Sequence, residues 1–335
     1  MHYRRLGKHG PTVPAIGLGF WSIGGAFGPA DEAESRRTMG RAIELGATLF
    51  DTAPAYGSSE ELLGRTLGRE REQVFLTTKC GLAPDPRSGR LLLDSRPESL
   101  RRQVEDSLRR LRCADVDLLL IHWPDPHVPI AEAAGALDRL RQTGLTRYVG
   151  VSNFSAAQLR EAVHAAPIVC NQVGYHLFDR RWERAMFPTA AELGVAVVAY
   201  SPLAHGLLTG TLDSAALHAD DWRTRGDTLS SQQLFAPANL PHNFALARQM
   251  AALVEQPGQS LTQAAIAWVL HQPQVASVIT GSRRVARLEE NIGALDIRLD
   301  DATRAELTRL GDFARGLEQD IPVWPMRSKP DEQSG

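Results

Sequence analysis

Cysteine is scarce in this chain: its 335 residues hold three, Cys80, Cys113 and Cys170. They lie far apart without a paired framework or a metal-ligand spacing, which argues against a disulfide scaffold and fits buried thiols in a reducing compartment. Cys80 follows Lys79 directly, so its sensitivity to oxidation turns on exposure. Long apolar runs are missing as well. No stretch reaches the roughly 18 residues of a membrane span, and no basic segment followed by an apolar core opens the chain. Neither sign of charge is in excess: 37 Lys and Arg against 39 Asp and Glu give a formal net charge of -2, with no basic stripe to meet nucleic acid. These absences predict a cytoplasmic protein with neither membrane nor nucleic acid as partner. A glycine-rich phosphate fingerprint is also lacking. Ile16-Gly17-Leu18-Gly19 runs into Phe20-Trp21 instead of a third glycine and a helix, which counts against a doubly wound dinucleotide domain.

What the chain does have is alternation. Short apolar runs at Ile16–Gly19, Thr48–Phe50, Val74–Thr77, Leu118–Ile121, Tyr148–Val151, Ile168–Cys170, Val195–Ala199 and Val275–Ile279 read as strands. Between them apolar residues recur at helical steps, as in Leu100, Val104, Leu108 and Leu111, or Ile130, Ala134, Leu137 and Leu140. Ser58 with Glu61, Ser95 with Glu98, and Ser155 with Gln158 predict capping boxes at helix starts. Alternating strands and helices favour a parallel sheet, and eight repeats favour its closure into a (β/α)₈ barrel. Tyr3–Leu6 and Thr12–Val13 around Gly7 and Gly10 predict a hairpin across the barrel floor. We read one barrel domain over 1–335, with its core at about 14–311 and a tail from 312. The connection from Ala204 to Pro241 is long enough for a functional loop, and disorder is expected after Arg327.

Chemistry concentrates in Asp51-Thr-Ala-Pro-Ala-Tyr56-Gly57, a carboxylate and a phenol within one strand-to-helix turn. A tyrosine donates its proton poorly unless something stabilises its phenolate, so a site built on it needs a cation. The next strand ends in Lys79, and the one after ends in His122-Trp123. Parallel-barrel enzymes build their sites at the carboxyl ends of the strands, where these groups converge.

This ordered set, with Gly150-Val-Ser152-Asn153, Cys170-Asn-Gln172, Tyr200-Ser201-Pro202-Leu203, and Gly281-Ser282-Arg283 followed by Arg287-Leu-Glu-Glu290-Asn291, resembles the aldo-keto reductases over roughly residues 2 to 311. The resemblance implies a catalytic tetrad of Asp51, Tyr56, Lys79 and His122. Tyr56 is then the general acid, Lys79 lowers its pKa, Asp51 pairs with the lysine, and His122 hydrogen-bonds the carbonyl. The resemblance further implies NADPH as cofactor, with its carboxamide on Ser152, Asn153 and Gln172 and its nicotinamide stacked on Tyr200. Its phosphates fall to Ser201, to the amides near Leu203 and Gly206, and to Gly281, Ser282 and Arg283. Arg283 and Arg287 suit a 2′-phosphate through their planar forks, and Glu290 and Asn291 face adenine. Two departures touch the phosphate end: Thr211 stands where the family often has lysine, and Thr280 where proline often precedes the glycine. Phe20, Trp21, Trp123 and His205 are the expected substrate wall, suited to apolar carbonyls or sugar faces. The activity implied is metal-free reduction of an aldehyde or ketone by direct hydride transfer. Oxidation of an aldose at its anomeric carbon, and an NADPH-sensing binding module like the potassium-channel β subunits, are the alternatives.

Overall fold

The computed structural model describes residues 1–28, 30–85, 90–212, 221–224, 230–254 and 259–317; the stretch Ile321–Pro325 and the expected disorder after Arg327 lie outside them. In chain order the elements are β1 (Tyr3–Arg5), β2 (Thr12–Pro14), β3 (Ile16–Gly19), α1 (Glu32–Glu44), β4 (Leu49–Asp51), α2 (Ser59–Thr66), β5 (Phe75–Cys80), β6 (Leu82–Pro84), β7 (Leu91–Leu93) and α3 (Pro97–Leu111). They continue with β8 (Val116–Ile121), α4 (Ile130–Gln142), β9 (Thr146–Ser152), α5 (Ala156–Ala165), β10 (Ile168–Gly174), α6 (Met186–Leu193), β11 (Ala196–Tyr200), α7 (Leu240–Leu253), α8 (Leu261–His271), β12 (Val275–Gly281), α9 (Val285–Gly293) and α10 (Asp301–Gly311). Strands β3, β4, β5, β8, β9, β10, β11 and β12 are parallel neighbours, and β12 pairs with β3 to close the barrel. The chain therefore has the (β/α)₈ fold. No helix among the described residues is long and apolar enough to cross a membrane.

Successive strand side chains face opposite sides of the sheet, and this parity sorts the apolar residues into two cores. Outward residues, among them Ile16, Leu18, Phe50, Leu76, Leu119 and Ile121, pack with Leu100, Val104 and Leu137 from the helices. Inward residues, Leu49, Leu118, Leu120, Val198 and Ile279, fill the barrel with Leu6 and Val13 from the floor hairpin β1–β2. Val169 and Cys170 both join the inner set because the β9–β10 register shifts between Ile168 and Asn171. The filling is tight enough to dictate a glycine: a Cβ on Gly17 would lie 2.8 Å from the Leu49 carbonyl oxygen.

Of the three expected capping boxes one forms. Ser155 accepts from the Gln158 amide and the Gln158 side chain answers the Ser155 amide. Ser58 precedes α2 but makes no side-chain cap bond. The α3 start is corrected by one residue: Arg96 is the N-cap, while Ser95 is turned away and its amide donates to Asp125 at 3.0 Å. Proline 97 fixes that start, since its missing N–H sits where the helix needs none. The antiparallel pair β6–β7, which follows β5, has no counterpart among the expected strands. The expected stability pattern follows. Ser155→Ala lowers the unfolding free energy by about 1 kcal/mol, and Ser58→Ala stays within about 0.5 kcal/mol of the parent; urea unfolding of both variants checks it.

Candidate active site

Parity also builds the site. Leu49 faces inward, Phe50 outward and Asp51 inward; along β5, Leu76 and Cys80 face outward, which turns Lys79 inward; His122 follows outward Ile121. The three strands therefore deliver a carboxylate, an ammonium and an imidazole to one end of the barrel interior. Lys79 Nζ donates to Asp51 Oδ1 at 2.7 Å and to the Thr52 carbonyl at 3.0 Å. Asp51 and Lys79 are 3% and 1% exposed, so the pair is shut off from solvent. Lys79 Nζ also lies 4.8 Å from the centre of the Tyr56 ring, and the Tyr56 and His122 rings meet edge to face at 5.7 Å. The four expected tetrad residues are thus brought together.

Burial, and secondly the Asp51 charge, hold the Tyr56 phenol well above its ordinary value. The Lys79 ammonium, bonded to Asp51, lies over the phenol ring. Burial also pushes Lys79 below its usual value against the pull of Asp51 and Glu60. His122 is lowered well below its own by burial and then by Lys79, so it is neutral at physiological pH. The Tyr56 hydroxyl makes no hydrogen bond to the described residues, which leaves it able to donate to a ligand.

Four of the expected cofactor residues, Ser152, Asn153, Gln172 and Tyr200, form a connected polar rim. Gln172 donates its amide to Asp51 Oδ2 at 2.7 Å. Ser152 Oγ donates to the Gln172 carbonyl at 2.8 Å. Asn153 Nδ2 donates to the His122 carbonyl and to Ser152 Oγ, and its Oδ1 accepts the Tyr200 hydroxyl at 2.9 Å. Gly174 gives that tyrosine its place, for a Cβ there would lie 3.1 Å from ring atoms of Tyr200. Asn153, Ser201, Ala204 and His205 all have positive φ, so the ends of β9 and β11 turn through left-handed backbone that side chains rarely adopt. Ser201 Oγ and His205 Nδ1 are 3.3 Å apart, and Leu203 and Gly206 close that bend with a backbone bond. At the other edge Asn291 is buried and donates to Ser282 Oγ. Arg287 is exposed and pairs with Glu290, whose second oxygen accepts from Ser260. Arg283 follows the exposed Gly281 and donates to the Phe27 carbonyl at 3.3 Å.

Of the expected substrate wall, Trp21 and His205 stand together, 5.7 Å between ring centres. Trp222, absent from the expected wall, joins both at 5.2 and 4.8 Å. Trp123 is buried beside His122. Phe20 is not on the wall. It is fully buried in the outer core against Phe50, because parity turns it away from the interior. Asp221 and Arg223 form a two-pronged ion pair, and Arg223 also donates to the His205 carbonyl and lies over the Phe27 ring. Trp222 and Arg223 thereby strap the loop after β3 to the loop after β11. An i, i+2 acid–arginine pair around a tryptophan was the available signal.

Two outcomes follow from these environments. Breaking a buried ion pair from one side strands the other charge, so Lys79→Met is expected to destabilise the protein by about 3–5 kcal/mol, more than Asp51→Asn combined with Lys79→Met; denaturant titration of both variants tests this. Burial lowers His122, and it lowers His176 to about 4. Depressed native values mean that the unfolded chain takes up these protons first. Their contribution is therefore complete above about pH 6.5 and is lost as pH falls, at about 1.4 kcal/mol per pH unit for each group. His176→Asn should flatten the stability–pH slope by that amount, and an unchanged slope would remove His176 from the account.

Residues 15–312 match the Aldo/keto reductase family. The chain is 32% identical over 326 residues to aldo-keto reductase yakc [NADP(+)] of Schizosaccharomyces pombe, covering 95% of this chain and 94% of that one. It is 32% identical over 333 residues to the NADH-specific methylglyoxal reductase of Escherichia coli, covering 94% and 98%. Among solved structures, the glycerol dehydrogenase AKR11B4 from Gluconobacter oxydans superposes with a TM-score of 0.80 at 33% identity, covering 92% of this chain and 94% of that one. With a closed eight-stranded barrel and a family match across nearly its whole length, the chain belongs to the aldo/keto reductase family of oxidoreductases.

Proposed function

We propose that the protein reduces an aldehyde or ketone to the alcohol with NADPH, Tyr56 giving its proton to the carbonyl oxygen. The observation that carries this reading is the meeting of Asp51, Lys79, Tyr56 and His122 at the mouth, with the Asp51–Lys79 pair buried beneath the phenol ring. Delivery of a hydride to a carbonyl carbon leaves charge on the oxygen, and donors already aimed at that oxygen stabilise it as it develops. Tyr56 keeps its proton until that charge appears. Neutral His122 supplies the second polar contact, and Asp51 holds Lys79 in place below the ring.

The residues fit a nicotinamide nucleotide. At one end are neutral donors and acceptors suited to an uncharged amide: Ser152, Asn153, and Gln172, which spends its NH₂ on Asp51 and keeps its oxygen. Tyr200 offers a flat face. Ser201 and the backbone about Leu203 and Gly206, with Gly281, Ser282 and Arg283, supply polar and positive groups for phosphates. Bound there, the cofactor supplies the hydride. Asn291 acts by holding Ser282, Glu290 by holding Arg287, and Arg283 and Arg287 take the 2′-phosphate.

Names among the relatives divide on the cofactor, one NADP(+) and one NADH-specific. The two arginines favour NADPH in this reading. A hydrogen bond to a charged group is worth about 1.5–3 kcal/mol, so Arg283→Ala with Arg287→Ala should cost NADPH tenfold or more in affinity and leave NADH nearly unaffected. Equal affinity of the parent for both cofactors would overturn the choice.

The glycerol dehydrogenase likeness raises the opposite direction, oxidation of a polyol or sugar. That direction needs the phenolate, and the environment of Tyr56 opposes it. Reduction should therefore keep its rate from neutral pH to at least about pH 10, past the ordinary tyrosine value, while oxidation rises with pH. Tyr56→Phe keeps the ring and removes the proton, so turnover should drop about 10²–10⁴-fold with NADPH affinity retained. Steady-state rates and a cofactor titration on that variant decide the matter, and turnover equal to the parent would refute the role of Tyr56.

A further inference from the structure

Parity gives each strand of the site a second, outward face, and beside Asp51 and Lys79 that face carries hydroxyls. Thr52 adjoins Asp51 and Thr78 adjoins Lys79. The Thr52 and Ser59 hydroxyls share a buried hydrogen bond at 2.6 Å. Thr78 Oγ1 donates to Glu60 Oε1 at 2.6 Å, and Arg110 Nε of α3 donates to Glu60 Oε2 at 2.7 Å. Ser59 and Glu60 are consecutive, both in the first turn of α2 and both buried. An isolated carboxylate is costly to bury, so a contact that only filled space between α2 and β5 would be served better by an apolar side chain.

Tyr56 stands on the turn between β4 and α2. Its backbone amide is bonded within that turn, to the Ala53 carbonyl, and its carbonyl accepts from the Ser59 amide at 3.2 Å. With its hydroxyl unbonded to the described residues, its height above Lys79 is set by where the start of α2 is fixed. Thr52 works in both directions, since its carbonyl accepts from Lys79 while its hydroxyl meets Ser59.

We propose that Ser59 and Glu60, through Thr52 and Thr78, are positioning residues that set Tyr56 in register with Asp51 and Lys79 for proton delivery. Each bond ties the first turn of α2 to the residue next to one member of the buried ion pair. This rests on Tyr56 as the proton donor. Proton transfer depends on atomic placement, and a misplacement of about 1 Å costs on the order of 10²-fold in rate, so a partial loosening of one tie should cost about tenfold.

The test uses Thr78→Val, Thr78→Ser and Ser59→Ala in the full chain, with NADPH and one aldehyde that the parent turns over. Thr78→Val and Ser59→Ala should each lower kcat about tenfold and leave KM and NADPH affinity within about twofold. The solvent deuterium isotope effect on kcat should rise, because proton delivery becomes slower relative to other steps. Thr78→Ser should restore both. A loss of correctly folded enzyme lowers the apparent kcat without moving the isotope effect or yielding to the conservative variant, and that outcome overturns the proposal, as does parental kcat in both variants. Where Thr78→Val does not fold, Ser59→Ala decides by the same readings. Tyr56→Phe separates the two levels: if it turns over like the parent the proton-donor reading fails, whereas an inactive Tyr56→Phe beside parental Thr78→Val and Ser59→Ala sinks the positioning role alone.

Discussion

An ammonium at 1% exposure inside a barrel is the constraint on which the rest of the site depends. Desolvation of a lone charge is costly, and the effective penalty in proteins is several kcal/mol per ion. Lys79 meets this with Asp51 at 2.7 Å and the Thr52 carbonyl at 3.0 Å, and Asp51 in turn takes the Gln172 amide. The consecutive strands β4 and β5 are thus tied by the charge pair, and β10, distant in sequence, is joined to them across the barrel interior through Gln172. The polar rim continues outward from Gln172 to Ser152, Asn153 and Tyr200. A change at the buried pair is therefore felt around half the mouth.

Below that layer the interior is apolar and filled, with Leu49, Leu118 and Ile279 meeting the floor residues Leu6 and Val13. Such a packed interior is what allows a charged layer at one end only. The inward face changes from packing to polar groups within two residues, from Leu49 to Asp51 on β4 and from Leu120 to His122 at the end of β8. The outward face stays with the helices, and next to Asp51 and Lys79 it carries the hydroxyls of Thr52, just past β4, and Thr78 on β5, both bonded to α2.

This two-faced arrangement also explains how much was legible in the sequence. The eight strands were readable because buried parallel strands are short continuous apolar runs, and the meeting of Asp51, Lys79 and His122 because they stand at or just past the carboxyl ends of successive strands. The capping boxes were less so. The Ser95 spacing satisfied the pattern, but Pro97 set the helix start one residue later with Arg96 as cap. Phe20 looked like a wall residue by adjacency to Trp21, whereas alternation sends neighbours to opposite sides. Glu60 could not be read at all, since the carboxylates on an isolated helix look alike until Thr78 and Arg110 are brought against one of them. The direction of the Tyr56 shift also depended on something absent from the sequence, namely the burial of the phenol beside the Asp51 charge.

The same pairing logic extends to the mouth and limits what it can select. Arg223 is matched by Asp221, Arg181 by Asp179, and Lys79 by Asp51, each within 2.6 to 2.7 Å. His122 and His205 are both lowered well below their ordinary values by burial, so neither adds charge at neutral pH. What remains is aromatic surface from Trp21 and Trp222 with neutral hydrogen-bonding groups among it. Among the described residues, these neutralised groups place aromatic and uncharged polar side chains beside Tyr56 and His122, and the proposed reduction of a carbonyl would draw on them at a single oxygen.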